Sequence, residues 1–247
     1  MIISISNHKG GVGKTTSTIN IGAALANMGH KVLLVDLDPQ ANLSQSLGIK
    51  NPERTIYGAI RGQYKVDPIQ INDNLYVIPS DLDLSGAEVE LISEPGREYV
   101  LSEVLSHWKE IFRFVIIDCP PSLGLLTINA FTASETVLIP LQAEFLAVQG
   151  FAKLIEVIEK IRQRLNKSLS LGGVFLTQYD SRKVLNRNIA ESISDQFKGK
   201  LFDVKIRENI ALAEAPTSGM DIFRYNPKSK GAEDYQALAL EILKKVK

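Results

Sequence analysis

Asn7-His8-Lys9-Gly10-Gly11-Val12-Gly13-Lys14-Thr15-Thr16 follows the apolar run Ile2 to Ile5 and leads into a helix-forming stretch. Strand, glycine-rich turn and helix in that order make a phosphate-binding loop. The glycines let backbone N–H groups turn inward around a polyphosphate, Lys14 supplies a point charge, and Thr15 offers its hydroxyl to Mg2+. The expected ligand of Gly10, Gly11, Val12, Gly13, Lys14, Thr15 and Thr16 is a nucleotide. Two residues depart from the strict pattern: His8 stands five before Gly13 where a glycine is required, and a second lysine, Lys9, precedes the glycines. A lone lysine is ordinarily a solvated cation; beside a phosphate cradle, Lys9 is placed for the nucleotide.

The rest of the chain must supply a scaffold for that loop. With 247 residues, 45% of them hydrophobic, it can bury one sizeable core, and no break in composition divides it, so residues 1–247 are expected to form a single domain. The 28 basic and 28 acidic residues leave a formal charge of +0, so any contact with nucleic acid or anionic lipid must come from a local patch. Cys119, the only cysteine, has no intramolecular disulfide partner, and no apolar leader precedes the first strand. No run approaches the ~18 apolar residues of a membrane span. These features point to a cytoplasmic protein.

Apolar, β-branched runs recur at Ile2 to Ile5, Val32 to Val35, Leu75 to Ile78, Phe114 to Ile117, Val137 to Ile139 and Val174 to Leu176, with helix-period segments between several of them. Such alternation predicts an α/β fold, a mostly parallel twisted sheet covered by helices on both faces. Phe151, Leu154, Ile155, Ile158, Ile161 and Leu165 fall on one face of a predicted helix, opposite Lys153, Glu156, Glu159, Lys160 and Arg162. The less regular region from Gly48 to Asn74 is expected at the periphery of the sheet.

Phosphate binding alone does not imply hydrolysis; that needs carboxylates at strand ends near the loop. Phe114-Val115-Ile116-Ile117-Asp118 closes an apolar strand on a carboxylate, the form of a residue that reaches Mg2+ through its water shell. A purely structural reading makes Asp118 the cap of the turn before Pro120 and Pro121. Val32-Leu33-Leu34-Val35-Asp36-Leu37-Asp38-Pro39-Gln40 ends on two carboxylates, and in open parallel sheets such carboxyl ends face the ligand crevice. Asp38 is assigned to orienting the attacking water. Asp36 is assigned either to the Mg2+ neighbourhood or to holding Lys14.

Lys9 to Thr16, Asp36 to Asn42, Asp118 with Cys119-Pro120-Pro121-Ser122-Leu123-Gly124, Leu125 to Ala130, Pro140 with Gln142 and Glu144, and Glu214-Ala215-Pro216 occur together. Over nearly its whole length the chain thereby resembles the Soj-like ParA-type partition ATPases, within the deviant Walker group that also contains MinD-like proteins. The resemblance implies a P-loop ATPase that hydrolyses ATP with Mg2+, and a dimer in which two subunits sandwich two nucleotides. Lys9 then reaches across to the partner's phosphates, a cation supplied in trans where charge spreads over the transferred group. Lys9, Lys14 and Asp38 become the catalytic set, and Thr15, Asp36 and Asp118 the metal neighbourhood. Adenine contacts are implied at Asn209 and, through its backbone, at Arg207, which stands where the family commonly has a proline.

The same resemblance implies non-specific DNA binding by the dimer through Arg182, Lys183, Arg187, Lys205, Arg224, Lys228 and Lys230, a nucleoid-associated location, and a ParB-like or other adaptor that stimulates hydrolysis. The product is the segregation or positioning of a chromosome, plasmid or protein cargo. One departure is the stretch Ile210-Ala211-Leu212-Ala213, which lacks the arginine many partition ATPases carry before Glu214. A MinD-like alternative rests on the last helix, where Tyr235, Leu238, Ala239, Ile242, Leu243 and Val246 share a face near Lys244, Lys245 and Lys247. That face lacks Trp and Phe, and Glu233, Asp234 and Glu241 oppose anionic lipid, so packing on the core is the expected reading. A non-enzymatic nucleotide-dependent scaffold is the other alternative. One cysteine is too few for the cluster ligands of iron–sulfur reductases that share this loop.

Overall fold

Strands form where β-branched runs are buried from both sides. In the computed structural model, which describes residues 1–143, 147–197 and 199–245, the strands are β1 (Ile2–Ile5), β2 (Val32–Asp36), β3 (Ile69–Gln70), β4 (Leu75–Ile78), β5 (Phe114–Asp118), β6 (Thr136–Gln142), β7 (Ser170–Tyr179) and β8 (Leu201–Arg207). They join in one sheet in the order β3-β4-β2-β5-β1-β6-β7-β8. All pairings are parallel except the short edge pair of β3 with β4. Every residue of β1, β2 and β5 is buried, as a parallel sheet covered on both faces requires.

Alternate residues of each strand serve opposite layers. Leu33, Val35 and Ile117 point into one core with Phe131, Phe151 and Leu154. Val32, Leu34 and Ile116 point into the other, where they meet Ile21, Leu25, Tyr235 and Leu238. Helices Leu125–Ala133 and Ala147–Arg164 cover the first face; helices Lys14–Asn27 and Lys230–Lys245 cover the second. The predicted amphipathic helix is therefore present, with Phe151, Leu154, Ile158 and Ile161 buried. The C-terminal helix also packs on the core through Tyr235, Leu238, Ala239 and Ile242; Val246 and Lys247 lie outside the described residues.

The topology places the crevice. From β1 the chain winds outward through β2 and β4, returns through β5, then crosses to β6, β7 and β8, so the winding direction reverses around β1. In open α/β sheets that reversal separates the loops at the strands' carboxyl ends and leaves a ligand site between them. The loop read from residues 7–16 sits at this point.

Two strands escape the sequence reading for a physical reason. In β8 only Phe202 and Ile206 are buried, and the intervening Asp203 and Lys205 break the apolar run. β3 has just two residues, both exposed, at the edge of the sheet, in keeping with the peripheral place expected for residues 48–74. A close approach governs the β7–β8 contact: a Cβ added at Gly173 would lie 2.8 Å from the Lys200 carbonyl and 2.4 Å from the Phe202 ring. Gly173→Ala is thus expected to cost about 2 kcal/mol by overpacking and to lower the melting temperature by about 4–8 °C. Thermal unfolding followed by circular dichroism checks this, and an unchanged midpoint would refute the contact.

Candidate nucleotide-binding site

Backbone geometry makes the cradle. Gly11 and Gly13 adopt left-handed φ values of 75° and 84°, which turn successive N–H groups toward one side. A Cβ at Gly10 or Gly11 would meet nothing within 4 Å, so both glycines border open space. Gly13 precedes the Lys14–Asn27 helix without a side-chain cap, leaving the first-turn donors and the positive end of the helix dipole to an anion. The outward carbonyls are tied down instead. Thr177 Oγ1 donates to Val12 O at 2.8 Å, and Gln178 Nε2 donates to Gly11 O at 2.9 Å. Asn7 completes the frame, accepting from Lys9 N at 3.0 Å and donating to Pro140 O at 2.8 Å.

Lys14 is buried, and its Nζ donates to Lys9 O at 3.0 Å. Burial lowers its pKa, while the carboxylates of Asp118 and Asp38 oppose the shift. Lys9 extends along the end of β6, with Nζ 3.5 Å from Gln142 Oε1. Glu144, two residues further, lies outside the described residues.

The two strand-end carboxylates face each other in register across β2 and β5. Asp118 is fully buried and accepts from Thr15 Oγ1 at 2.7 Å and Thr18 Oγ1 at 3.3 Å. Burial and the neighbouring Asp36 push its pKa up to about 8, against the pull of the Thr15 hydroxyl and Lys14. Asp36, also fully buried, is raised to about 6 by desolvation, which its hydrogen bonds partly offset. Those bonds change the reading of this residue. Asp36 accepts from Ser44 Oγ at 2.7 Å, Ser44 N at 2.9 Å and Asp38 N at 3.2 Å, and not from Lys14. It pins the turn that carries Asp38, whose own Oδ1 accepts from Gln40 N at 3.0 Å. The physical reason is reach: Lys14 Nζ is engaged at the Lys9 carbonyl, whereas Ser44 packs directly on Asp36.

A hard divalent cation fits this donor set. Among the described residues no three His, Cys, Asp or Glu side chains converge into an all-protein metal cage. A hydroxyl on a phosphate cradle, backed by one carboxylate, is instead the arrangement in which Mg2+ is shared with phosphate oxygens. The cation's charge would favour ionised Asp118.

Beside the cradle lies a cavity of about 380 Å3 lined by Gly13, Thr16, Arg207, Asn209, Leu212 and Tyr235 among others. The fold therefore brings Arg207 and Asn209 to the loop from about 200 residues away in sequence. Asn209 caps the following helix, its Oδ1 accepting from Ala211 N at 2.9 Å. Of the basic residues, Arg182, Lys183 and Arg187 cluster at the start of helix Val184–Gln196, and Arg187 and Lys205 line one groove with Tyr179. Arg182 is well exposed and pairs with Asp180 at 2.9 Å; Lys183 pairs with Glu208 at 3.4 Å. Arg224, turned onto Asp221, precedes Lys228 and Lys230, which lie on the segment entering the C-terminal helix. Among the described residues no helix is long and apolar enough to cross a membrane.

Thr18, Ser44, Thr177, Gln178, Asp234 and Tyr235 were not legible as site residues. Most of their partners are remote in the chain, and Ser and Thr at such positions carry no spacing signal. One is open to direct test: Ser44→Ala leaves buried Asp36 short of its hydroxyl donor and is expected to cost about 1–3 kcal/mol in stability, read from urea unfolding. A midpoint equal to wild type would show that the bond does not hold the turn.

The chain matches a family model described as an AAA domain over residues 1–171. It is 43% identical over 240 residues to the chromosome-partitioning ATPase Soj of Treponema pallidum, covering 96% of this chain and 94% of that protein. Among solved structures it is similar to cobyrinic acid a,c-diamide synthase from Mycobacterium smegmatis with bound ADP and magnesium: TM-score 0.87, 35% identity, 98% of this chain and 94% of the other. It is likewise similar to the Pyrococcus furiosus cell division ATPase MinD, with TM-score 0.82, 32% identity and 98% of each chain covered.

Proposed function

The chain belongs to the family of ParA/Soj-type ATPases, and we propose that it is a Mg2+-dependent ATPase that works as an ATP-bound dimer on DNA to segregate or position cargo. The observation that carries this reading is one crevice holding a glycine cradle, two lysines, two strand-end carboxylates and a third on the adjoining turn: Lys9, Lys14, Asp36, Asp118 and Asp38 around Gly10 to Thr16. The solved relative with bound ADP and magnesium supports the choice of ligands.

Each residue then has a task. The N–H groups of residues 10–16 and Lys14 hold the β- and γ-phosphates and neutralise charge that builds up as the terminal P–O bond breaks. Asp38, held at the crevice by the Asp36–Ser44 turn, orients the attacking water, whose oxygen bonds to phosphorus as ADP departs. Thr15 and Asp118 would hold Mg2+ beside the cradle, where it would supply positive charge to the phosphate oxygens. Lys9 serves the neighbouring subunit's phosphates, which ties hydrolysis to association. Arg182, Lys183, Arg187 and Lys205, with Arg224, Lys228 and Lys230, supply phosphate contacts to DNA that a dimer doubles. A ParB-like adaptor stimulates turnover, and the nucleotide switches the protein on and off the nucleoid. The last helix, packed on the core, speaks against the membrane-bound alternative.

Phosphate release and size-exclusion chromatography test this together. Lys14→Ala is expected to abolish nucleotide binding. Lys9→Ala is expected to lower both dimer formation and turnover. Asp38→Ala should accumulate as an ATP-bound dimer with turnover down by about 100-fold or more, the scale set by losing a water-orienting group. Wild-type protein that releases no phosphate, even with DNA and its adaptor, would leave only the nucleotide-dependent scaffold. Retention on arbitrary duplex DNA should require ATP and weaken steeply between 50 and 200 mM salt; equal retention with ADP would overturn the switch.

A further inference from the structure

One ion pair beside the cradle has no part in phosphate chemistry. Asp234, in the C-terminal helix, is 8% exposed, and both its oxygens face Arg207 at the end of β8. Arg207 N donates to Oδ2 at 2.9 Å, Nε to both oxygens at 3.0 Å, and Nη2 to Oδ1 at 2.6 Å. Nη2 also meets Glu233 Oε2 at 3.1 Å. A planar guanidinium gripped at backbone and side chain by one carboxylate fixes both distance and orientation, which a lysine cannot reproduce.

The next residue faces the other way. Tyr235 is fully buried, its hydroxyl lies 3.0 Å from Ser17 Oγ on the helix that follows the cradle, and its side chain lines the 380 Å3 cavity. Two consecutive residues of one helix therefore tie down two elements at that cavity: Tyr235 bonds Ser17 on the helix after the cradle, and Asp234 bonds Arg207, which lines the cavity with Asn209. The chemistry of the cavity suits a nucleobase. Ile206, Ile210 and Leu212 offer apolar surface to a flat ring. Asn209, with Oδ1 engaged by Ala211 N, keeps its Nδ2 as a donor for a ring nitrogen.

We propose that the Asp234–Arg207 pair is a positioning clamp for the nucleobase, holding residues 207–209 at the cavity so that affinity for the base, as distinct from the phosphates, depends on the C-terminal helix. The inference rests on the nucleotide reading above. The phosphate cradle has separate ties, to Asn7, Thr177 and Gln178, so loosening the clamp should leave phosphate binding in place.

Calorimetric titration of the full chain with Mg-ATP and with Mg-tripolyphosphate, which has the phosphates but no base, separates the two. Asp234→Asn, which sets an amide against the guanidinium, is expected to weaken ATP binding by about tenfold while tripolyphosphate stays within about twofold. Arg207→Lys keeps the charge and the backbone bond but loses the fork, and should fall between. If Asp234→Asn does not fold by circular dichroism, Arg207→Lys carries the same comparison. Equal losses for both ligands, or unaltered ATP affinity, would overturn the clamp. Wild-type protein that binds tripolyphosphate no more weakly than ATP would remove the base site and the clamp with it. Binding of neither ligand would instead overturn the nucleotide reading on which the proposal stands.

Discussion

Everything at the site depends on how the backbone carbonyls of the glycine loop are disposed of. A peptide unit that turns its N–H inward turns its C=O outward, and a buried outward carbonyl without a partner is costly. Thr177, at the end of β7, takes that role for the buried Val12 carbonyl, and Gln178 adds a bond to the exposed Gly11 carbonyl. The loop is thus held from a strand more than 160 residues away in sequence, and its anion-binding face is set before any ligand arrives. Such preorganisation is what lets dipoles stabilise developing charge without reorganising at the moment of reaction.

The carboxylates follow the same logic at higher cost. Asp36 and Asp118 stand in register on adjacent strands, each fully buried, where desolvation and mutual repulsion both raise their pKa values. They divide their work through hydrogen bonds. Asp118 is joined to the cradle by Thr15 and Thr18, while Asp36 is joined to the turn at Ser44. One carboxylate is thus tied to the start of the helix after the cradle, and the other spends its capacity on Ser44 and the Asp38 amide.

The far wall is held by the C-terminal helix. Its apolar face packs against the sheet through Leu238, Ala239 and Ile242, while Asp234 and Tyr235 reach Arg207 and Ser17. Glu241 meanwhile accepts from the Asp203 and Val204 amides of edge strand β8. Carboxylates on exposed edge amides discourage pairing with another chain, so this helix both shapes the cavity and closes the sheet.

The sequence by itself determined the fold class and the phosphate loop, because both are written in local patterns: β-branched runs, glycines at fixed spacing before Lys14, carboxylates ending apolar strands. It also separated the two faces of helix Ala147–Arg164 from period alone. It did not reveal β8, whose charges interrupt the apolar run, and it left the task of Asp36 open between two partners, neither of them Ser44. Only the tertiary structure decided which groups tie the loop from behind, which turn Asp36 supports and what grips Arg207. Those are contacts between residues distant in the chain, where Thr, Ser, Gln and Asp carry no periodicity, and their meaning comes from the donors and acceptors that packing sets within hydrogen-bonding reach.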